Sequence, residues 1–116
     1  MRVSVVICTW NRCELLRSTL ESLRSLAIPS AQQWEVLVVN NNSPDATDEV
    51  IMAYQGLLPL HRLFESEVGL SKARNAAART VTGELVLFTD DDVMIDPNWL
   101  TAYLEAIERW PDAGYF

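Results

Sequence analysis

The sequence of 116 residues predicts an α/β fold, a mainly parallel sheet with helices on both faces. Two observations carry that prediction. Short apolar, β-branched runs alternate with stretches of helical periodicity, the pattern of parallel strands joined by crossover helices. The strand candidates are also apolar throughout, as burial on both faces requires, rather than apolar at every second residue.

The elements follow in order. VSVVIC (3–8) and WEVLVV (34–39) are strands ended by polar clusters. LHRLFES (60–66) is more mixed and reads as a third strand nearer an edge, and ELVLF (84–88) is the fourth. Leu16, Leu20 and Leu23 recur at helical spacing within 13–26, which ends before IPS. Residues 45–55 form a shorter helix with Val50, Ile51 and Tyr54 on one face. Residues 71–80 combine good helix formers with Ser71 as a cap. Asp96 before Pro97 is a helix-start signal, a capping carboxylate followed by proline at the first helical position. Leu100, Leu104 and Ile107 supply the apolar face of that last helix, and WPDAGYF (110–116) reads as the run-up to another strand. There is no internal repeat or low-complexity segment.

A chain of this length is about one domain and can bury a real core. Its net charge of −7 argues against a nucleic-acid backbone or an anionic membrane as the main partner, since both need a basic face. A phosphorylated small molecule stays open, because a bound divalent cation reverses the sign locally. Cys8 and Cys13 are too few for a disulfide scaffold or metal cluster. Cys8 reads as a small core residue and Cys13 as a helix-start residue, and this usage fits a reducing, cytoplasmic compartment. No signal-peptide core is visible, and no apolar run approaches the ~18 residues of a membrane span. NNS (41–43) matches a glycosylation acceptor and, without a secretion signal, reads as chance.

Ligands of parallel sheets collect at the carboxyl ends of the strands. The segments that follow the four strands are TWNR (9–12), NNNSPD (40–45), EVGLSKARN (67–75) and TDDDV (89–93). All are polar, and one edge would gather them. Asp90, Asp91 and Asp92 repel one another unless a hard cation such as Mg²⁺ binds them and clamps a diphosphate. The plainer reading is a solvated acidic turn. An EF-hand is excluded: counting from Asp90, the sixth position is Ile95 rather than glycine and the twelfth is Thr101 rather than glutamate. A phosphoryl-accepting receiver domain would place its acidic pair after the first strand, where this chain has TWN. A nucleotidyltransferase would carry a glycine-rich basic loop there.

Taken together, VSVVICTWNR, VLVVNNNSPDATDEV and EVGLSKARNAAARTVTGELVLFTDDDVMIDPNWL resemble the N-terminal half of a family 2 glycosyltransferase of the GT-A fold. The resemblance covers essentially the whole chain. It implies a Rossmann-like donor-binding part at 1–116, cut before the acceptor half. It also implies transfer of a sugar from a nucleoside diphosphate donor to an acceptor hydroxyl with inversion, using Mg²⁺ or Mn²⁺ held by a DxD-type motif. Thr9 and Trp10 would line the nucleobase pocket, with Trp10 stacking on a flat ring or packing as a core aromatic, and Asn11 would fix that loop. Asn41 stands where the family usually has an acidic residue reading the base, and its amide can accept as well as donate. Ser43 and Asp45 would close the turn and cap the next helix. Gly69 would let backbone pass close to the ligand, and Arg74, or less well Lys72, would offer positive charge to the donor. Asp90 would face the ribose or the metal and Asp92 would be the principal metal ligand. Asp91 would join the nucleotide-sugar contacts, and whether it or Asp92 is the main metal ligand stays open, because DxD spacing takes only the first and third aspartates. His61 lies before the site-forming end of its strand and reads as a surface or packing residue.

The same resemblance implies a UDP-sugar first, with GDP- or dTDP-sugars also open, and an acceptor that is a glycan, lipid or protein. Nucleic acid is not an expected partner, on the charge given above, and peripheral membrane association of the full enzyme is allowed. No general base is visible: Glu105 and Glu108 read as solvent-facing, and the family's carboxylate would lie beyond Phe116. The chain alone is therefore expected not to sustain transfer, an expectation that turnover by the isolated chain would overturn. An open apolar edge would favour self-association, which a light-scattering mass of one chain at high concentration would contradict. A non-catalytic nucleotide-binding or assembly module and a nucleotidyltransferase of similar fold are the alternatives.

Overall fold

In the computed structural model, which describes residues 1–112, four strands alternate with four helices. They are β1 (Val3–Thr9), α1 (Cys13–Leu23), β2 (Trp34–Asn40), α2 (Thr47–Tyr54), β3 (Leu60–Phe64), α3 (Leu70–Thr80), β4 (Leu85–Thr89) and α4 (Trp99–Arg109). All pairings are parallel, in the order β3-β2-β1-β4. The chain steps outward from β1 to β3 and then crosses back to place β4 on the far side of β1. That reversal makes the crevice beyond the ends of β1 and β4 the place for a ligand.

The central strands are apolar on both faces because helices cover both. Val3, Val5 and Ile7 of β1, with Val36 and Val38 of β2, pack against Leu16, Leu20 and Leu23 of α1, Val50, Ile51 and Tyr54 of α2, and Leu100 of α4. The alternate residues Val6, Leu37 and Val39 face the other way, onto Ala73 and Ala77 of α3. Each fully buried Val, Leu or Ile contributes about 1.5–3 kcal/mol. As expected of an edge, β3 exposes His61, Arg62 and Phe64. β4 edges the sheet among the described residues, with Phe88 48% exposed. No helix among the described residues is long and apolar enough to cross a membrane.

Several boundaries differ from expectation, each for a local reason. α1 stops at Leu23 rather than 26, passing into a turn. α2 spans Thr47–Tyr54 rather than 45–55, because Asp45 turns back and accepts the Thr47 N–H. α3 begins at Leu70 with Gly69 at its cap, so Ser71 lies inside the helix and caps nothing. α4 starts at Trp99, two residues after Pro97. Here Asp96 uses its carboxylate on the Asn98 N–H (2.8 Å), forming a turn one step before the helix. Leu100 is fully buried and Leu104 packs on the core, while Ile107 is only half-buried. Cys13 opens α1 as expected, but Cys8 is half-buried rather than a full core residue. The expected strand run-up at 110–116 falls mostly on residues outside those described.

At the amino edge of the sheet, β2 buries Glu35, which accepts bonds from Ser4 Oγ, Arg2 Nη2 (3.3 Å), and both the N–H (3.3 Å) and hydroxyl (3.1 Å) of Thr82. Burial alone would raise its carboxyl, but the bonds from Ser4, Thr82 and Arg2 outweigh it and hold the group below the usual glutamate range. A depressed carboxylate contributes stability above its unfolded pKa, about 4.3 for glutamate, and loses it as pH falls through the folded value. Asp48, held down by Arg62 and Asn40, acts in the same direction. Acid unfolding followed by circular dichroism should therefore begin below about pH 4.3, and Glu35→Gln should flatten that dependence while lowering stability at pH 7. An unchanged pH profile in the variant would count against this assignment.

Candidate functional site

Strand register builds the site. Thr9 pairs with Asn40 and Thr89 with Ile7, so two residues beyond Thr89 the chain is level with the end of β1. Asp91 sits there, and Thr9 Oγ1 donates to Asp91 Oδ2 at 2.8 Å, both groups buried. The central aspartate thus faces inward and ties β4 to β1. Asp90 and Asp92, on either side of it, are exposed.

The loops after the strands enclose a cavity of about 440 Å³, in the size range of ligand sites. Thr9, Trp10 and Arg12 line it from the β1 end, Asn41 from the β2 end, Val68 to Leu70 from the β3 side, and all three aspartates from the β4 side. A recess of about 190 Å³ shares Cys8, Leu70 and Asp90 with it and adds Arg74, Phe88 and Thr89. Burial pushes the Cys8 thiol up to about 11, against an opposing pull from Arg74, so this wall thiol stays protonated at neutral pH.

Each expected residue has a definite place. Trp10 is 46% exposed in the cavity and is no core aromatic. Asn11 adopts φ 55°, and its N–H donates to Ser43 Oγ (3.1 Å), joining the first two loops. Thr9 lines the wall, but its hydroxyl is engaged by Asp91. Asp45 accepts from the Cys13 N–H at 3.0 Å and from Thr47, so it braces the starts of both α1 and α2. Gly69 has φ 147°, which disfavours any side chain. Arg74 shares the smaller recess with Asp90, whereas Lys72 pairs with Glu67 (3.0 Å) and lines neither space. His61 lies exposed on β3, 3.8 Å from Glu35 at the opposite edge. Glu105 and Glu108 are exposed on α4 and line neither space.

Asn41 has a fuller role than its sequence suggests. Its Nδ2 donates to the Glu65 (3.1 Å) and Glu67 (2.7 Å) carbonyls, and its Oδ1 accepts from the Gly69 N–H (2.9 Å). Both amide hydrogens are engaged, leaving only an acceptor lone pair toward a ligand. An acidic residue here would press a carboxylate against two carbonyls. Asn41→Asp should therefore lose about 2 kcal/mol in urea denaturation, and undiminished stability would show that the loop does not depend on this amide.

The sequence model of Glycosyl transferase family 2 matches residues 4–115. The chain belongs to this family. Validoxylamine A glucosyltransferase of Streptomyces hygroscopicus subsp. jinggangensis is 33% identical over 106 residues, 90% of this chain and 25% of that protein. Staphylococcus aureus TarS, solved in complex with UDP-GlcNAc, superposes with a TM-score of 0.85 at 31% identity, over 94% of this chain and 32% of that one. The mannosyltransferase PcManGT from Pyrobaculum calidifontis, in complex with GDP-Man and Mn²⁺, gives 0.82 at 28% identity, over 90% and 32%. The expected GT-A fold is thereby established. This family 2 chain spans about a quarter of the first relative's length and about a third of each of these solved chains.

Among the described residues of this family 2 chain, no three His, Cys, Asp or Glu side chains converge into a closed metal cage. A divalent cation that draws its remaining ligands from water and substrate phosphates needs only one or two carboxylates. Asp90 and Asp92 fit that demand, since both are exposed in one cavity and the Asp90 carboxylate has no hydrogen-bond partner among the described residues. Sequence reading overlooked Arg12, whose Nη1 lies 3.4 Å from Asp91 Oδ1 and 3.1 Å from Asp92 Oδ2. Charge balance was the available signal: three adjacent aspartates need a counter-charge, and Arg12 is the cation in the loop facing them.

Proposed function

We propose that this chain binds the donor of a glycosyl transfer, a nucleoside diphosphate sugar with UDP favoured, as the donor part of a metal-dependent, inverting enzyme that acts on an acceptor hydroxyl in the cytoplasm. The observation that carries the reading is one cavity joining an exposed aromatic ring, a fixed amide acceptor and two exposed carboxylates at the carboxyl edge of a parallel sheet. Trp10 offers its face to the base and Asn41 accepts an N–H from the base edge. Asp90 meets the ribose or the metal, Asp92 is the principal metal ligand, and Arg74 lends positive charge beside Asp90. Mg²⁺ or Mn²⁺ would offset charge on the diphosphate leaving group. The UDP-GlcNAc and GDP-Man complexes of the two similar structures support the donor class, and the Mn²⁺ in one of them supports the metal. The unpaired state of Cys8 and Cys13 agrees with a reducing compartment.

A metal-free nucleotide-binding module is the second reading, favoured by Arg12, which already neutralises part of the acidic cluster. Calorimetry with UDP, with and without Mn²⁺, separates the two. Binding that requires Mn²⁺ supports the transferase reading, and binding indifferent to chelator supports the module.

A further inference from the structure

We propose that Arg12 is the internal counter-ion of the site: it holds Asp92 while no metal is bound, yields Asp92 to the divalent cation, and then serves the phosphates that arrive with it. The proposal rests on the donor-binding reading above. Its basis is an unequal set of contacts. A single nitrogen, Nη1, bridges Asp91 and Asp92, while Nε and Nη2 make no bond among the described residues. Asp91 is buried and keeps a second bond from Thr9, so it is fixed whether or not Arg12 stays. Asp92 and Arg12, by contrast, are 41% and 52% exposed at their side chains, and exposed pairs of this kind hold weakly.

A divalent ion carries twice the charge of a guanidinium and prefers hard carboxylate oxygen, so it displaces Arg12 at Asp92. Arg12 cannot travel far, because its backbone carbonyl accepts the Leu16 N–H (2.8 Å) at the start of α1. Its freed guanidinium therefore remains in the cavity wall, with a planar fork of donors suited to phosphate oxygens. Among the described residues no other cation takes the same part. Arg74 lies with Asp90 in the smaller recess, and Lys72 is paired with Glu67.

Removing Arg12 should thus move two affinities in opposite directions, which a purely structural residue would not do. In Arg12→Gln, Mn²⁺ binding without nucleotide, read by electron paramagnetic resonance, should tighten about three- to tenfold at low salt, with the gain shrinking in 1 M salt. UDP binding at saturating Mn²⁺, read by calorimetry, should weaken by about three- to tenfold. Arg12→Lys, which keeps the charge and loses the fork, should retain wild-type Mn²⁺ affinity yet bind UDP more weakly. Far-UV circular dichroism establishes that each variant is folded. An Arg12→Gln chain whose Mn²⁺ affinity is unchanged or weaker overturns the proposal, and so does measurable UDP binding that Arg12→Gln leaves unaltered. If UDP binds neither wild type nor variant while Mn²⁺ binding still tightens, the counter-ion role stands and the donor-binding reading falls.

Discussion

Gly83→Ala is expected to destabilise the fold by about 3 kcal/mol and to lower Tm by about 12 °C. Gly83 lies between α3 and β4, and its N–H donates to Ser4 Oγ (2.9 Å). A Cβ there would stand 2.5 Å from Ser4 Oγ, 2.6 Å from the Ser4 backbone nitrogen and 3.0 Å from the Arg2 carbonyl oxygen. Two of those three atoms are backbone at the start of β1, which is paired on both sides with β2 and β4. The strand cannot retreat without disturbing both ladders. Ser4 also donates to buried Glu35, so the disturbance reaches a carboxylate that depends on its bonds. Gly56, where an added methyl group would meet nothing within 4 Å, is the control. Gly56→Ala should change stability by less than about 0.5 kcal/mol. Thermal melts of the two variants side by side test this, and equal Tm values would show that the turn has room for a side chain.

Asp92→Ala is expected to weaken Mn²⁺-dependent UDP binding on the order of 100-fold while leaving Tm unchanged. Its carboxylate is exposed and its one partner, Arg12, is itself exposed, so little folding energy rests on it. Asp91→Ala should behave differently. It removes a buried acceptor from the Thr9 hydroxyl and should destabilise by about 1–3 kcal/mol. Equilibrium unfolding and calorimetry on both variants therefore separate the aspartate proposed to reach a ligand from the one that holds two strands together. Normal binding by Asp92→Ala, with loss confined to Asp91→Ala in a fully stable fold, would reverse the two roles.

Much of the fold was legible because a parallel sheet buried on both faces writes itself as predominantly apolar runs, here VSVVIC and WEVLVV. The four polar loops could be foreseen as one site because strands of common direction end at a common edge. Helix starts were less legible. Asp96 before Pro97 and Ser71 before a helical run both look like caps, yet Asp96 closes a turn instead and Gly69, with its unusual φ, takes the cap position before α3. Pairings across long sequence separation left no local trace. The Thr9–Asp91 bond spans 82 positions and the Arg12–Asp92 pair spans 80, so neither the inward turn of Asp91 nor the role of Arg12 follows from a neighbouring residue. Glu35 was passed over as well, although here a local sign existed: one charge inside WEVLVV.

The central claim is that a nucleoside diphosphate and its metal occupy the crevice beyond β1 and β4. Mn²⁺ is paramagnetic and broadens nearby amide signals, and a chain of 13.1 kDa suits that measurement by nuclear magnetic resonance. With UDP and Mn²⁺ added to the isotope-labelled chain, signals of Thr9–Arg12 and Asp90–Val93 should broaden first, while those of Thr82–Glu84 at the opposite edge should persist. Broadening centred elsewhere, or none at Asp90–Val93, would contradict the claim.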